Sequence, residues 1–240
     1  AQPAAAGTYR ISAEIAGTAT QKSEVQTVVA AQQALHLFRA YGPQAVLGKG
    51  MNTYLYEIGV QRLINGVVSG GADAVTVNLR CVAAEVCTTP ATVTIPAGQS
   101  SVNFVVTGVD IGSTQIEATA AGATASTPLQ TEVIAPQIII SNLDGSRSTS
   151  SVRDNFNVSL QVPGSYYSGS HVVAQARAIN IGVVDQNPAG VVNGIYDQGT
   201  GGNLITQLTI PKDQNTTGWA YVAQPAAAGT YRISAEIAGT

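Results

Sequence analysis

The chain has 240 residues and a formal net charge of −3, with 45% hydrophobic and only 10% charged residues. Ordinary soluble domains carry about 25% charged residues, so neutral polar side chains must cover this surface and electrostatic repulsion between copies is weak. The eleven Lys and Arg residues are scattered, which excludes a basic stripe for nucleic acid and a polybasic anchor for acidic lipids. The apolar runs are far shorter than the 18 or so residues of a membrane-spanning helix, which excludes membrane insertion.

An exact internal repeat opens the chain. Residues 1–18, AQPAAAGTYRISAEIAGT, recur letter for letter as residues 223–240, at a period of 222 residues. An identity of this length indicates recent copying or an array that is kept uniform. A period of 222 residues is long enough for complete domains with their own cores, in contrast to the 20–50 residues of a solenoid. The expected partners are further copies of the same repeat, joined covalently or by strand complementation, with lateral self-association as a further possibility.

The repeated segment has the alternation of a β-strand. We interpret this segment, which occurs twice in the chain, as the closing strand of a sandwich. The alternating positions in the two copies are Gly7, Tyr9, Ile11 and Ala13, and Gly229, Tyr231, Ile233 and Ala235.

The rest of the chain also shows a period of two between short turn clusters, which predicts an all-β protein. Only residues 30–39 fit a helix, and the alternation of Leu35 and Leu37 favours a strand there. Residues 74–81 and 155–162 each place four apolar side chains on one face, as half-buried antiparallel strands do.

Cys81 and Cys87 are the only cysteines. Their spacing allows them to close the loop after the strand that ends at Cys81, and we interpret them as a disulfide formed in an oxidising compartment. Two reduced, half-buried thiols are the alternative. Zinc binding is disfavoured because it needs four ligands and the only histidines, His36 and His171, lie far away in sequence.

A weaker repeat lies inside the long period. Residues 94–96 and 209–211 both read Thr-Ile-Pro, at an offset of 115, and the same offset aligns Phe104 with Trp219. This alignment predicts that Phe104 and Trp219 are core aromatic residues between sheets, with a sugar-stacking platform as the alternative. Residues 112–118 match residues 229–235 at an offset of 117, so two domains of one fold alternate along the array.

We place the domain boundaries at Val28/Val29 and Val133/Ile134. Residues 1–28 are then the C-terminal strands of a second-type domain of the preceding repeat, residues 29–133 the first domain, and residues 134–240 a second domain that the next unit completes. About seven strands per roughly 100 residues predict tandem immunoglobulin-like Greek-key β-sandwich domains.

The first domain also resembles a known family. Residues 90–108, PATVTIPAGQSSVNFVVTG, and residues 112–120, GSTQIEATA, resemble the bacterial immunoglobulin-like repeats of large surface and secreted proteins. The resemblance covers the C-terminal half of this domain. It implies an extracellular or cell-surface sandwich used as a spacer, adhesin module or fibre subunit, and it carries no catalytic residues.

Neither catalysis nor cofactor binding is predicted. The sequence has no Gly-x-Ser-x-Gly elbow, no paired carboxylates at a strand end and no phosphate-binding glycine loop before a helix. Calcium and other metals are not expected, because Asp185 and Asp213 are isolated and Ca²⁺ requires six to eight oxygen ligands.

The leading hypothesis is therefore a structural repeat unit of an extracellular bacterial filament or giant surface protein, forming a semi-rigid fibre. One alternative is a pilus-like subunit polymerised by donor-strand exchange through residues 7–15. The other is an adhesin stalk whose loops at residues 187–190 or 193–196 bind carbohydrate or a surface.

Overall fold

The computed structural model describes residues 6–14, 21–40, 42, 44–167 and 169–239. Over these residues the chain consists of β-strands, turns and irregular segments, and it contains no helix that is long and apolar enough to cross a membrane. The strands assemble into two successive β-sandwiches, preceded by a hairpin. The prediction of an all-β chain of tandem immunoglobulin-like sandwiches is confirmed.

The N-terminal hairpin consists of β1 (Gly7–Glu14) and β2 (Gln21–Val28). The two strands are antiparallel, with Gly7 opposite Val28, and they form a two-stranded sheet of their own. Tyr9 and Ile11 are 44% and 57% exposed. An isolated two-stranded hairpin has no core, and its stability in water is marginal.

The first sandwich follows. Its strands are β3 (Gln33–Arg39), β4 (Ala45–Gly48), β5 (Met51–Asn52), β6 (Ile58–Ile64), β7 (Val67–Val68), β8 (Val75–Cys81), β9 (Cys87–Thr88), β10 (Thr92–Ile95), β11 (Ser101–Asn103), β12 (Thr107–Gly108), β13 (Gly112–Thr119), β14 (Ala123–Thr124) and β15 (Leu129–Ile134). One sheet has the order β10-β8-β13-β15-β4, and the facing sheet has the order β11-β6-β3-β14 with β7 beside β6. Non-consecutive neighbours such as β8 and β13 are the crossovers of a Greek key.

The core of the first sandwich comes from the alternation of its strands. Along β8 every second side chain is buried, at Val77, Leu79 and Cys81, while the residues between them are exposed. The segment at 33–39 is a strand, as its alternation favours, and contributes Leu35 and Leu37 to the same core.

The second sandwich consists of β16 (Gln137–Ser141), β17 (Asp154–Gln161), β18 (Val172–Val173), β19 (Arg177–Asn187), β20 (Ile195–Tyr196), β21 (Gln207–Ile210), β22 (Ala220–Val222) and β23 (Thr230–Ile237). One sheet has the order β16-β17-β22-β20 and the other has the order β21-β19-β23. Phe156, Val158 and Leu160 of β17 are buried in a second core.

The structure corrects the prediction for Trp219. Phe104 is 2% exposed and lies in the first core, whereas Trp219 is 50% exposed. In the first sandwich Phe104 donates its backbone N–H to Ile58, while in the second sandwich Ala220 stands directly opposite Phe156. In the second sandwich the buried aromatic ring is thus that of Phe156 on β17, and the small Ala220 on β22 takes the place that Phe104 has in the first sandwich. The sequence offset misses this exchange because the alignment of the two strands shifts by one residue.

Truncating Trp219 to alanine tests this correction. Because the ring is half exposed and precedes the buried strand β22, we expect the free energy of unfolding to fall by less than about 1 kcal/mol in chemical denaturation. A loss of about 3–5 kcal/mol, the usual cost of removing a core aromatic ring, would show that Trp219 is a core residue and would contradict this correction.

Candidate functional site

The junction between the two sandwiches combines backbone pairing, apolar contacts and a buried polar cluster. β15 ends at Ile134 and β16 begins at Gln137, so only two residues connect them directly. In addition, β18 of the second sandwich pairs with β5 of the first, with Val173 opposite Met51. These strands belong to a four-stranded sheet, β18-β5-β12-β9, that crosses from one sandwich to the other. The backbone itself therefore joins the two units at two places.

Apolar side chains also cross the junction. Met51 is fully buried and Val46 is 9% exposed, and both belong to the core cluster of the second sandwich although they lie on strands of the first. Burial of a side chain of this size contributes about 1.5–3 kcal/mol relative to exposure. Separating the sandwiches would expose this surface to water.

A buried polar cluster lies at the same junction. His171 and Glu57 have side-chain exposures of 0% and 1%, and Nε2 of His171 lies 2.7 Å from Oε2 of Glu57. The Ser165 hydroxyl donates to Oε1 of Glu57 at 3.3 Å. Nε of Arg39, whose side chain is 5% exposed, lies 3.6 Å from the same oxygen. Two residues from each sandwich thus meet at buried positions.

This cluster does not have the geometry of a hydrolase triad. In such a triad the serine and the carboxylate contact opposite nitrogens of the imidazole. Here Ser165 and Glu57 both contact Nε2, at 3.2 and 2.7 Å. Nδ1 of His171 has no hydrogen-bond partner among the described residues. The arrangement can hold two surfaces in register, and its imidazole does not lie between the serine and the carboxylate as it does in a triad.

A glycine turn and a group of tyrosines complete the junction. Gly50 adopts φ +71°, and the Arg177 guanidinium occupies the space that a Cβ would need, so only glycine fits this turn. The ring of Tyr54 lies 4.9 Å from that of Tyr167 across the junction. The alternation suggests a strand for Tyr54 and Tyr56, but both lie at the turn before β6, and Tyr56 is 58% exposed.

Cys81 and Cys87 form a disulfide in the structure. Cys81 ends β8, and Cys87 begins β9, which is the edge strand of the four-stranded sheet at the junction. The bond closes a loop with a sequence separation of 6. Closing so short a loop removes little chain entropy, so its contribution lies toward the low end of the usual range of about 2–4 kcal/mol.

The two copies of the repeated segment occupy different surroundings. Gly7, Tyr9, Ile11 and Ala13 lie on β1 in the hairpin. In the second copy, Tyr231, Ile233 and Ala235 lie on β23, with Gly229 just before it, and β23 is the edge strand of its sheet. Beside β23 runs a groove of about 760 Å³, whose other wall includes residues 143–149.

The two loops suggested for surface binding differ in exposure: residues 187–190 are exposed, whereas the loop at residues 193–196 is partly covered by the protein itself. Ile195 is 2% exposed. The Arg153 guanidinium carbon lies 3.5 Å from the centre of the Tyr196 ring, a cation–π contact that covers the ring face on which a sugar would stack.

Charged and metal-ligating side chains are sparse at the surface. Among the described residues no group of three His, Cys, Asp or Glu side chains is placed to hold a metal ion. Lys49 Nζ lies 2.8 Å from Oδ1 of Asp110 at an exposed position, and its hydrogen bond lowers the pKa of the Asp110 carboxyl.

Sequence reasoning missed the buried charged and polar residues. Arg62 follows Ile58 and Val60 on the inward face of β6, so the alternation that predicted the core also pointed to it. Glu57 and His171 have no such signal, because they flank strands that are far apart in sequence and meet only at the junction.

Comparisons with known proteins give similarity to solved structures only. No protein-family model matches the chain, and no curated protein matches it. Domains 4 and 5 of the S-layer protein SbsC are 21% identical over 48% of this chain and 59% of that one, with a TM-score of 0.33. The longer structure rSbsC(31–844) is 13% identical over 99% of this chain and 29% of that one, with a TM-score of 0.41. SbsC domains 4–9 are 16% identical over 97% of this chain and 33% of that one, with a TM-score of 0.38.

The chain thus spans between 29% and 59% of the length of these three structures. The resemblance to bacterial immunoglobulin-like repeats in particular has no counterpart among the matches and stays a prediction.

Proposed function

We propose that this chain is a repeat unit of an extracellular bacterial filament or giant surface protein, in which pairs of sandwiches form a semi-rigid rod. The observation that carries the proposal is the junction between the sandwiches. Two backbone connections, a shared apolar contact through Met51 and the buried Glu57–His171 pair leave little freedom for bending. Flexible linkers between domains are instead exposed and rich in Gly, Ser or charged residues.

Other features agree with a place outside the cell. A disulfide persists in oxidising compartments and is rare in the cytosol. The surface carries few charges, so side-by-side copies would repel each other only weakly. The exact repeat of residues 1–18 at residues 223–240 fits an array of identical units, because the same sequence then occurs at every boundary between units.

The test is the shape of an array of three periods expressed as one chain. Strands of about ten residues at about 3.3 Å each give roughly 35–40 Å per sandwich, so each period should lengthen the particle by about 70–80 Å in electron micrographs. The matched control is a Met51→Asp array, which places a charge in the second core and should broaden the distribution of bend angles. Arrays that are equally bent with and without this substitution would overturn the semi-rigid rod.

A polymer of separate subunits remains the second candidate, because the closing-strand sequence occurs both in the hairpin and in the second sandwich. Denaturing electrophoresis of the natural assembly separates the two. A band at 24.5 kDa indicates subunits, whereas a mass many times larger indicates a continuous chain.

A further inference from the structure

The partner of β2 in the hairpin has the same sequence as β23. β2 pairs along its length with β1, whose sequence is repeated exactly in β23. β23 itself pairs with β19 on one side and stands at the edge of its sheet on the other. In the hairpin this sequence, as β1, pairs with β2. In the second sandwich the same sequence, as β23, has an open edge.

The first sandwich shows how such an edge is closed. There the counterpart of β23 is β13, and β15 lies between β13 and β4. Val133 of β15 stands opposite Gly112, just as Val28 of β2 stands opposite Gly7. Thr131 and Val133 are 2% and 1% exposed in this position.

In the second sandwich the corresponding place is a groove. It lies between β23 and residues 143–149, and its apolar lining includes Ile140, Leu143, Tyr231 and Ile233. Ile116 of β13 is fully buried, whereas Ile233, its counterpart, is only partly buried. The groove also contains Arg147, whose Nε is buried without a hydrogen-bond partner among the described residues.

We propose that this groove receives the strand Gln21–Val28 from another copy of the repeat, which closes the second sandwich as β15 closes the first. The proposal rests on the proposed function, because it specifies how one unit engages the next. The register seen in the hairpin would place Val28 opposite Gly229 and Gln26 opposite Tyr231. Glu24 would then stand opposite Ile233, and Arg147 in the lining of the groove carries the opposite charge.

Strand addition of this kind gains backbone hydrogen bonds along an open edge and buries alternate side chains in the groove. It also explains the exposed apolar side chains on one face of the hairpin, where Tyr9 and Ile11 are 44% and 57% exposed. In an array β23 would take the place of β1, so the pairs that β2 makes are kept and a core is added beneath them. The segment inserted is β2, in contrast to a donor strand formed by residues 7–15.

A peptide of residues 19–30, labelled with a fluorophore, tests the contact on the full 240-residue chain. We expect saturable one-to-one binding and cross-linking to β23. Substituting Val28→Asp in the peptide should weaken binding by at least about tenfold, because it buries a charge. The control peptide Thr27→Asp, whose changed residue faces the other side of the strand, should bind within about threefold of the original. Equal sensitivity at both positions, or no binding, would overturn the proposal.

A second experiment appends a copy of residues 19–30 after residue 240, with a scrambled extension of the same composition as its control. We expect the native extension to raise the melting temperature by at least about 4 °C over the control and to block binding of the peptide. No rise and continued peptide binding would refute the contact. Straight arrays in micrographs, without a rise in melting temperature from the extension, would support the semi-rigid rod and refute the insertion of β2. Bent arrays, together with a rise in melting temperature, would refute the rod and support the insertion.

Discussion

Replacing Glu57 with alanine is expected to lower the free energy of unfolding by about 3–5 kcal/mol, because it breaks a buried ion pair from one side. The carboxylate is 1% exposed, and both of its oxygens are engaged, by His171 at 2.7 Å and by Ser165 at 3.3 Å. Alanine would leave Arg39 and His171 facing an apolar gap at the junction. Chemical denaturation of the 240-residue chain, followed by fluorescence and circular dichroism, measures the loss.

The matched control is Glu117→Ala. Glu117 also contacts an arginine, with Arg80 Nε at 2.7 Å, but its side chain is 31% exposed and that of Arg80 is 70% exposed. We expect this change to cost less than about 1 kcal/mol. Because Glu57 joins the two sandwiches, its variant should also separate their unfolding into two transitions. Equally small losses for the two substitutions would show that the buried cluster adds no more to stability than an exposed ion pair.

The second large effect is expected at Arg62. This side chain is 2% exposed, and its guanidinium donates to the carbonyls of Asp73 at 2.8 Å, Gln99 at 3.0 Å and Gly71 at 3.2 Å. It thereby holds two loops of the first sandwich together. In Arg62→Met the stem keeps most of its packing while the donors are lost, and we expect a loss of about 3 kcal/mol, since hydrogen bonds from a charged group contribute about 1.5–3 kcal/mol each.

Arg80→Met is the control for Arg62, because it removes a guanidinium that lies 70% exposed. Its expected cost is below about 1 kcal/mol. Hydrogen exchange adds a local measurement, since the N–H of Gly98 donates to the carbonyl of Gly71 and should lose protection only in the Arg62 variant. A fully stable Arg62→Met chain would mean that water or loop movement replaces these bonds.

The two positions differ in what they hold. Arg62 binds loops within one sandwich, so its loss should leave the junction and the shape of an array unchanged. Glu57 binds across the junction, so its loss should act on both stability and shape. Comparing the two variants in a three-period array therefore separates a weakened sandwich from a weakened connection.

The strands and their inward faces were predictable from the sequence, because a period of two is a local pattern. Val77, Leu79 and Cys81 of β8 are buried as their alternation indicates. The repeat of residues 1–18 can likewise be recognised from the sequence alone, since the two copies are identical. The exposed Trp219 shows the limit of this reasoning: a weak repeat aligns strands only to within a residue, and a shift of one residue turns a side chain to the other face.

Only the tertiary structure revealed the junction and the groove. Glu57 and His171 are 114 residues apart, and no local pattern records that they meet. The pairing of β18 with β5, the burial of Met51 in the neighbouring core and the open edge of β23 likewise depend on how distant segments pack. Strand formation and the repeat thus follow from neighbouring residues, whereas the rigid connection and the place left for a further strand arise from contacts between distant ones.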